Sequence, residues 1–336
     1  MASRKMPFLP RSGKLGSAYG GPATHPEIAA APRLMKWGVK IAAFKALSLI
    51  PGGSRWYRWA QENITNSLVP TPERVSQKIS VGLRYARFLH AHGLENRLQN
   101  GRHLDLGSGW HPTIPLLFHC LGCPHQSLAD VVPVMTSQTA RQTATTFLKV
   151  LDRESGPLPI IPDRRTQIGA LSWDPWPPAA LPWEYHAPYM RWLSSVPASF
   201  DLVTSTQALL HVPRPVLREI FTAVAHAMKP GGVFMGTIHL HDLFADSDRS
   251  ITPYNHLRYS PWFWEKVISS PLMAYNRLKG PDYRQLLLES GWRILTFEVD
   301  PGTPNLLATI KIHPYFRHLS REDLAATQLF FAAQKP

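Results

Sequence analysis

A doubly wound α/β fold around a mostly parallel sheet is what this sequence predicts, on three observations. From residue 102 onward, short apolar runs alternate with stretches of helical period, the rhythm of βαβ units rather than of a bundle or a sandwich. The first of those runs stops in two glycines, Gly107 and Gly109, where a strand can turn sharply into a helix. The 336 residues, 44% of them hydrophobic, suffice for one large core with appended segments, and no internal repeat divides them.

In chain order, residues 1–32 carry Gly, Pro, Ser and Ala without periodicity and read as a flexible basic tail. Leu34, Trp37, Phe44, Leu47 and Ile50 then predict a helix, with Lys36 and Lys40 on another face and Pro51-Gly52-Gly53 as its end. A basic amphipathic helix lies on a membrane surface or packs on its own domain, and both readings stay open. Helix is also predicted over 55–66 and 73–99, so that 33–99 forms a helical N-terminal segment packing on or covering the site. The α/β domain is assigned to 100–336, with insertions at 156–198 and 240–281.

Within that domain, His103–Leu106, Ser127–Ala129, Phe200–Thr204, Val233–His239, Trp292–Val299 and Gln328–Ala333 read as strands. Helices are predicted over 114–121, Val134–Leu151, Pro215–Met228 and Asp282–Ser290. Residues 156–198 hold nine prolines and four tryptophans, and their pattern assigns them to irregular chain.

The formal charge is 36 − 23 = +13, a balance that favours acidic partners such as nucleic acid, an anionic membrane or an anionic substrate. Residues 1–60 hold ten Lys or Arg against Glu27 alone, so the excess belongs first to the tail. Residues 1–26 contain no acid and weakly resemble an organelle transit peptide; a plain basic tail explains them equally well. There is no secretory h-region at the start and no run of eighteen uncharged apolar residues, so a cytoplasmic protein is expected. Cys120 and Cys123 form a lone CxxC that no second pair or His cluster completes as a metal site; they read as buried structural thiols.

The chemistry is concentrated in Asp105-Leu106-Gly107-Ser108-Gly109 and in Asp130, twenty-one residues after Gly109 at the predicted tip of the next strand. Glycines let backbone approach a nucleotide-sized ligand, and a carboxylate at the second strand tip can accept hydrogen bonds from both ribose hydroxyls. Dinucleotide and S-adenosylmethionine sites share that pair. The loop continues Trp110-His111-Pro112 without the third glycine that seats a pyrophosphate, and Lys229-Pro230-Gly231-Gly232 has no place in a dehydrogenase.

HLDLGSGW, Asp130, FDLVTSTQALLHV and HAMKPGGVF together resemble the class I S-adenosylmethionine-dependent methyltransferases, across roughly residues 100–300. A narrower likeness, from about residue 33 onward, is to a bacterial subfamily of undefined substrate, carried by Tyr254–Ser260, Asn276–Lys279 and the Gly109-Trp110-His111-Pro112 loop. The resemblance implies a seven-stranded, Rossmann-like sheet whose last strand is antiparallel, with a helical N-terminal extension. It implies S-adenosyl-L-methionine as cofactor, with Asp105, Gly107 and Gly109 at its methionine portion and Asp130 on its ribose. Ser108, Trp110, Val131 and Ser205 join that set, and Gly169-Ala170-Leu171-Ser172 is assigned the adenine region, Ala170 and Leu171 as contacts.

Methyl transfer needs alignment and exclusion of water, and a hydroxyl acceptor also needs a base. His239 and His241 after the fifth strand, and His211 after the fourth, are the candidates, with Asp242 able to orient the first two; a surface or structural role is the bland alternative for each. Tyr254, Asn255, Arg258, Asn276 and Arg277 are candidate substrate contacts. The two arginines would hold an anionic group or else pair with acids such as Asp282. Trp262, Phe263 and Trp264 would wall a pocket or pack the core. Nucleic acid is not expected as substrate, since no Asn-Pro-Pro-Tyr-like run and no Pro-Cys nucleophile occur. A small-molecule, glycan or lipid-linked acceptor is expected, at oxygen more than nitrogen, with peripheral membrane contact through the basic N-terminal segment open. The competing class is a non-catalytic scaffold of the same fold. Oligomeric state is not legible.

Overall fold

The computed structural model describes residues 36–50, 69–153 and 160–336. The helix predicted over 55–66 and the whole of the 1–32 tail lie outside the described residues.

Seven strands form one sheet: β1 Arg102–Leu106, β2 His125–Ala129, β3 Trp183–His186, β4 Phe200–Thr206, β5 Met228–His239, β6 Arg293–Asp300 and β7 Gln328–Gln334. Their order is β3-β2-β1-β4-β5-β7-β6, parallel except for β7, which runs antiparallel to both neighbours. The sheet is thus Rossmann-like, doubly wound and mostly parallel. The order reverses between β1 and β4, the switch point where the carboxyl ends of the strands open a ligand crevice.

β3 was hidden in sequence. It lies inside the Pro/Trp-rich segment assigned above to an insertion, and pairs with β2 from Gln126↔Trp183 to Ala129↔His186. Four residues flanked by prolines carry no readable period, and only pairing with β2 reveals the strand.

Helices cover both faces. One layer is α2 Pro72–Ala91, α3 Thr113–Cys120, α4 Ser137–Arg153 and α5 Pro162–Ala170, packed on a core that includes Ile79, Leu117, Phe147 and Leu128. The other holds α6 Met190–Ser195, α7 Arg214–Ala227 and α8 Gly280–Glu289, with Phe221, Phe234, Leu286 and Trp292 in its core. The helix expected over 73–99 breaks after Ala91. His92 and Gly93 turn the chain, Gly93 at φ +66°, before a single turn at Asn96–Gln99. Thr71 caps α2 by accepting from Arg74 N–H, with Pro72 at its first position.

The N-terminal helix α1, Trp37–Leu49, packs on the second layer. Phe44 is buried, and the Trp37 ring lies 6.4 Å from Phe244 and 5.9 Å from Tyr259. Cys120 and Cys123 are free and buried, and burial pushes both thiols up to about 12, so they pack as small apolar groups.

Candidate functional site

At the end of β1 the chain turns through Gly107 (φ +76°) and Gly109 (φ +66°), a region that favours glycine. A Cβ on Gly107 would stand 2.2 Å from the Cβ of Ala208, so the loop after β4 fits against bare backbone there. A Cβ on Gly109 would meet nothing within 4 Å: open space faces that backbone. The turn is therefore closed on one side and open on the other.

Asp130, just past β2, closes the cradle. Its Oδ2 accepts from Gly109 N–H at 2.8 Å and its Oδ1 from Val131 N–H at 2.7 Å, with the Val132 amide also directed at the carboxylate. Burial pushes its pKa up, opposed by those amides and by the Lys78 ammonium. Val131 and Val132 beside it are exposed.

Asp105 sits deeper, pushed up to about 6 by burial against the charge of Lys78 and a hydrogen bond donated by Thr204 at 3.1 Å. Thr204 also contacts the buried His103 ring (2.8 Å), which reaches Gln126 (2.9 Å), so a polar chain ties β2, β1 and β4 beneath the loop. Ser108 Oγ donates to the Asp105 carbonyl at 2.8 Å and is structural. Ser205 is buried, its carbonyl accepting from Tyr85 OH at 3.2 Å.

The residues assigned to the adenine region lie in the helical layer. Gly169 and Ala170 end α5, which packs in the helical layer against α3 and α4, and Leu171 follows in that layer. The residues the sheet brings to Asp130 are at the end of β3 and just beyond it: Asp130 N–H donates to the His186 carbonyl (3.0 Å) and Tyr189 N–H to the Asp130 carbonyl (3.1 Å). The Trp192 ring stacks on His186 at 3.7 Å. Because β3 was not legible, neither was its tip.

Two residues of α2 were missed. Lys78 is half-buried within reach of the Asp105 and Asp130 charges. Tyr85, buried, places its hydroxyl within 3.2 Å of the Ser205 carbonyl, Thr206 Oγ1 and Thr237 Oγ1, over the ends of β4 and β5. The signal was present: Lys78 precedes Ile79 on the stripe Val75, Ile79, Gly82 that the helix buries.

A second pocket, small at about 10 Å³ and so no larger than a water needs, is lined by Leu210, His239, His241, His256, Tyr275 and Arg277 among others. The His239 and His241 rings are 4.8 Å apart. Burial, and then the neighbouring His241, push His239 down to about 4, so it is neutral. Burial alone would lower His241 too, but the Asp246 carboxylate, 3.0 Å from its Nε2, raises it above the ordinary value. Asp242 does not orient it. That carboxylate is buried, accepts from Tyr275 OH at 2.7 Å, and is held by Phe244 N–H and Asn255. His211 is exposed, its Nδ1 2.7 Å from the Ala274 carbonyl, and does not line the pocket.

Of the substrate candidates, Arg277 and Asn276 line this pocket and three do not. Tyr254 is buried elsewhere, its hydroxyl bonded to the Ala325 carbonyl and Thr303 N–H. Asn255 supports Asp242, and Arg258 is at the surface. Asn276 is largely committed to the carbonyls of Leu209 and Val212. Arg277 donates to the carbonyls of His256 and Tyr259 and lies over the rings of Trp264 (4.7 Å) and Phe316 (5.1 Å). Asp282 pairs with Arg214 instead, at 2.9 Å. Trp264 is core, whereas Trp262 and Phe263 face solvent. Gln207 and Arg277 are the non-glycine residues with positive φ among the described residues, both at +57°, and they flank this region from two sides.

No family model matches the chain, and no curated protein matches it. Among solved structures it is similar to an S-adenosylmethionine-dependent methyltransferase from Mesorhizobium loti, 18% identical over 71% of this chain and 92% of the other, TM-score 0.35. It is similar to one from Methanosarcina mazei, 17% identical over 70% and 93%, TM-score 0.39. It also resembles a geranyl diphosphate C-methyltransferase from Streptomyces coelicolor, 11% identical over 79% and 84%, TM-score 0.39. The chain's own strand order establishes its fold: a seven-stranded Rossmann-like sheet with one antiparallel strand, carrying a glycine cradle at its switch point.

Proposed function

We propose that the chain transfers a methyl group from S-adenosylmethionine to a small-molecule, glycan or lipid-linked acceptor, at oxygen in preference to nitrogen. The observation that carries this is the cradle of Gly107, Gly109 and Asp130, open at Gly109 and closed at its edge by the 2.8 Å bond between Gly109 and Asp130. A nucleoside suits it: Asp130 stands at the cradle's edge as an acceptor for ribose hydroxyl, and the exposed Val131 and Val132 offer an apolar rest for a base. No pyrophosphate device is present, which favours S-adenosylmethionine over a dinucleotide.

The bound sulfonium supplies an activated methyl carbon. The chain's own residues then align the acceptor, exclude water and take a proton. Tyr85 lies over the strand ends, and the paired rings of His239 and His241, 4.8 Å apart at the end of β5, supply the acceptor's base. That base is the reason for preferring oxygen.

Calorimetric titration of the protein with S-adenosylhomocysteine, beside an Asp130→Ala variant, tests the reading. Binding that the variant loses supports it. A folded wild-type protein that does not bind sinks it and leaves a scaffold of the same fold.

A further inference from the structure

The outward face of α1 is apolar from end to end. Val39, Ala42, Ala46 and Leu49, at helical spacing, are exposed, and Ile50 continues the stripe; Val39 is 57% and Leu49 84% exposed. A helix on a soluble surface turns polar residues outward, so among the described residues this face lacks the partner its composition calls for.

A second exposed apolar group stands beside it. Trp262, 66% exposed, Phe263 and Val267 lie on the chain that packs along α1. The Lys45 ammonium donates to the Lys266 carbonyl, and the Trp37 ring meets Tyr259, which stacks on Phe263 at 5.4 Å. The exposed cations near this surface include Lys36, Arg258 and Lys266, against the exposed acids Glu265 and Asp246, the latter engaged by His241; Lys40 turns inward onto Ser247 and the Phe44 and Phe244 rings. Apolar residues with an outward tryptophan, rimmed by cations, match a bilayer interface with anionic headgroups.

We propose that α1 and the 262–267 segment form a docking surface for an anionic lipid bilayer. The surface adjoins the second pocket. Trp264, between Trp262 and the interior, lies 4.9 Å from Tyr275 and 4.7 Å from the Arg277 guanidinium, and both of those residues line the pocket. Docking would set the headgroup layer one residue, Trp264, away from Tyr275 and Arg277, a placement that favours an acceptor anchored in lipid. The docking surface itself stands without methyl transfer; only the lipid-borne acceptor rests on the function proposed above.

The test is co-sedimentation of the full chain with vesicles of phosphatidylglycerol and phosphatidylcholine in equal parts, and with phosphatidylcholine alone, no methyl donor being present. Leu49→Asp and Trp262→Ser are compared singly and together, with melting curves as a check on folding. Wild type should pellet with the anionic vesicles, salt should weaken the binding, and the double variant should lose at least about tenfold. Absence of wild-type binding overturns the proposal. So does binding that the folded double variant retains in full, which would assign the contact to the basic tail. A wild-type dimer that these substitutions dissociate, without vesicle binding, would make the occupant a second copy of the chain. Titration with S-adenosylhomocysteine reads the donor site separately, so failure of one idea is distinguishable from failure of the other.

Discussion

Asp130 has two tasks, and substitution separates them. It holds the glycine loop through two amides and stands at the cradle's edge as an acceptor for a ligand. Asp130→Ala should weaken S-adenosylhomocysteine binding by about 10- to 100-fold, the loss of charge-assisted hydrogen bonds worth roughly 1.5–3 kcal/mol. Gly107→Ala acts differently: positive φ and a contact at 2.2 Å with Ala208 make the change destabilising by about 1–3 kcal/mol in a melting or denaturant experiment. A variant as stable as wild type would show that the Ala208 loop yields. His241 is raised by Asp246, so their pairing stabilises the fold at low pH and is lost as pH rises through the folded value. Asp246→Asn should lower the His241 pKa in an imidazole NMR titration. Its stability cost should be larger below the ordinary histidine value than above it, yet under about 1 kcal/mol because Asp246 is mostly exposed and screened. An unmoved titration would dismiss the pair.

At the scale of elements, β5, β7 and α8 meet at a buried cation. Lys279 caps α8 and donates to the carbonyls of Leu240 after β5 (2.8 Å) and Ala326 before β7 (3.0 Å), with burial pushing it down to about 7. Between that value and the unfolded one, near 10.4, the unfolded chain binds more protons, so this group makes stability rise with pH. Relative to Lys279→Met, wild type should gain up to about 1.4 kcal/mol per pH unit from about pH 7 to pH 10; parallel stability curves would refute the shift. Element identity was legible where period and length agreed. The helix predicted over Val134–Leu151 is Ser137–Arg153, and the strand predicted over Gln328–Ala333 is Gln328–Gln334. In the FDLV run the strand was legible but its carboxylate had no assigned task. Asp201 lies at the start of β4, away from the site, where it accepts from Lys229 at 2.7 Å and from Arg102 N–H at 3.0 Å.

For the molecule as a whole, the sheet order sets the glycine cradle in the crevice at the β1/β4 switch, with α2 reaching over the ends of β4 and β5. A ligand that binds this crevice and not the unfolded chain must stabilise the whole fold. S-adenosylhomocysteine at 100 times its Kd should add about 2.7 kcal/mol, read as a raised melting temperature that Asp130→Ala fails to show. No shift at a saturating concentration would count against the donor site as directly as calorimetry.

What the sequence determined by itself were the features encoded within a few residues of one another. The glycine turn, the acid at the next strand tip, the alternation of strand and helix and the burial of Cys120 and Cys123 all follow from local chemistry and period. Which residues face one another was decided only by tertiary structure. His241 answers to Asp246 and not Asp242, Arg214 takes Asp282 from Arg277, and His186–Tyr189 stand beside Asp130 where 169–172 was expected. The physical reason is the same in each case. A side chain's partner depends on strand order and on the turn that aims it, and β3, four residues long among prolines, left no period in the sequence from which that order could be read.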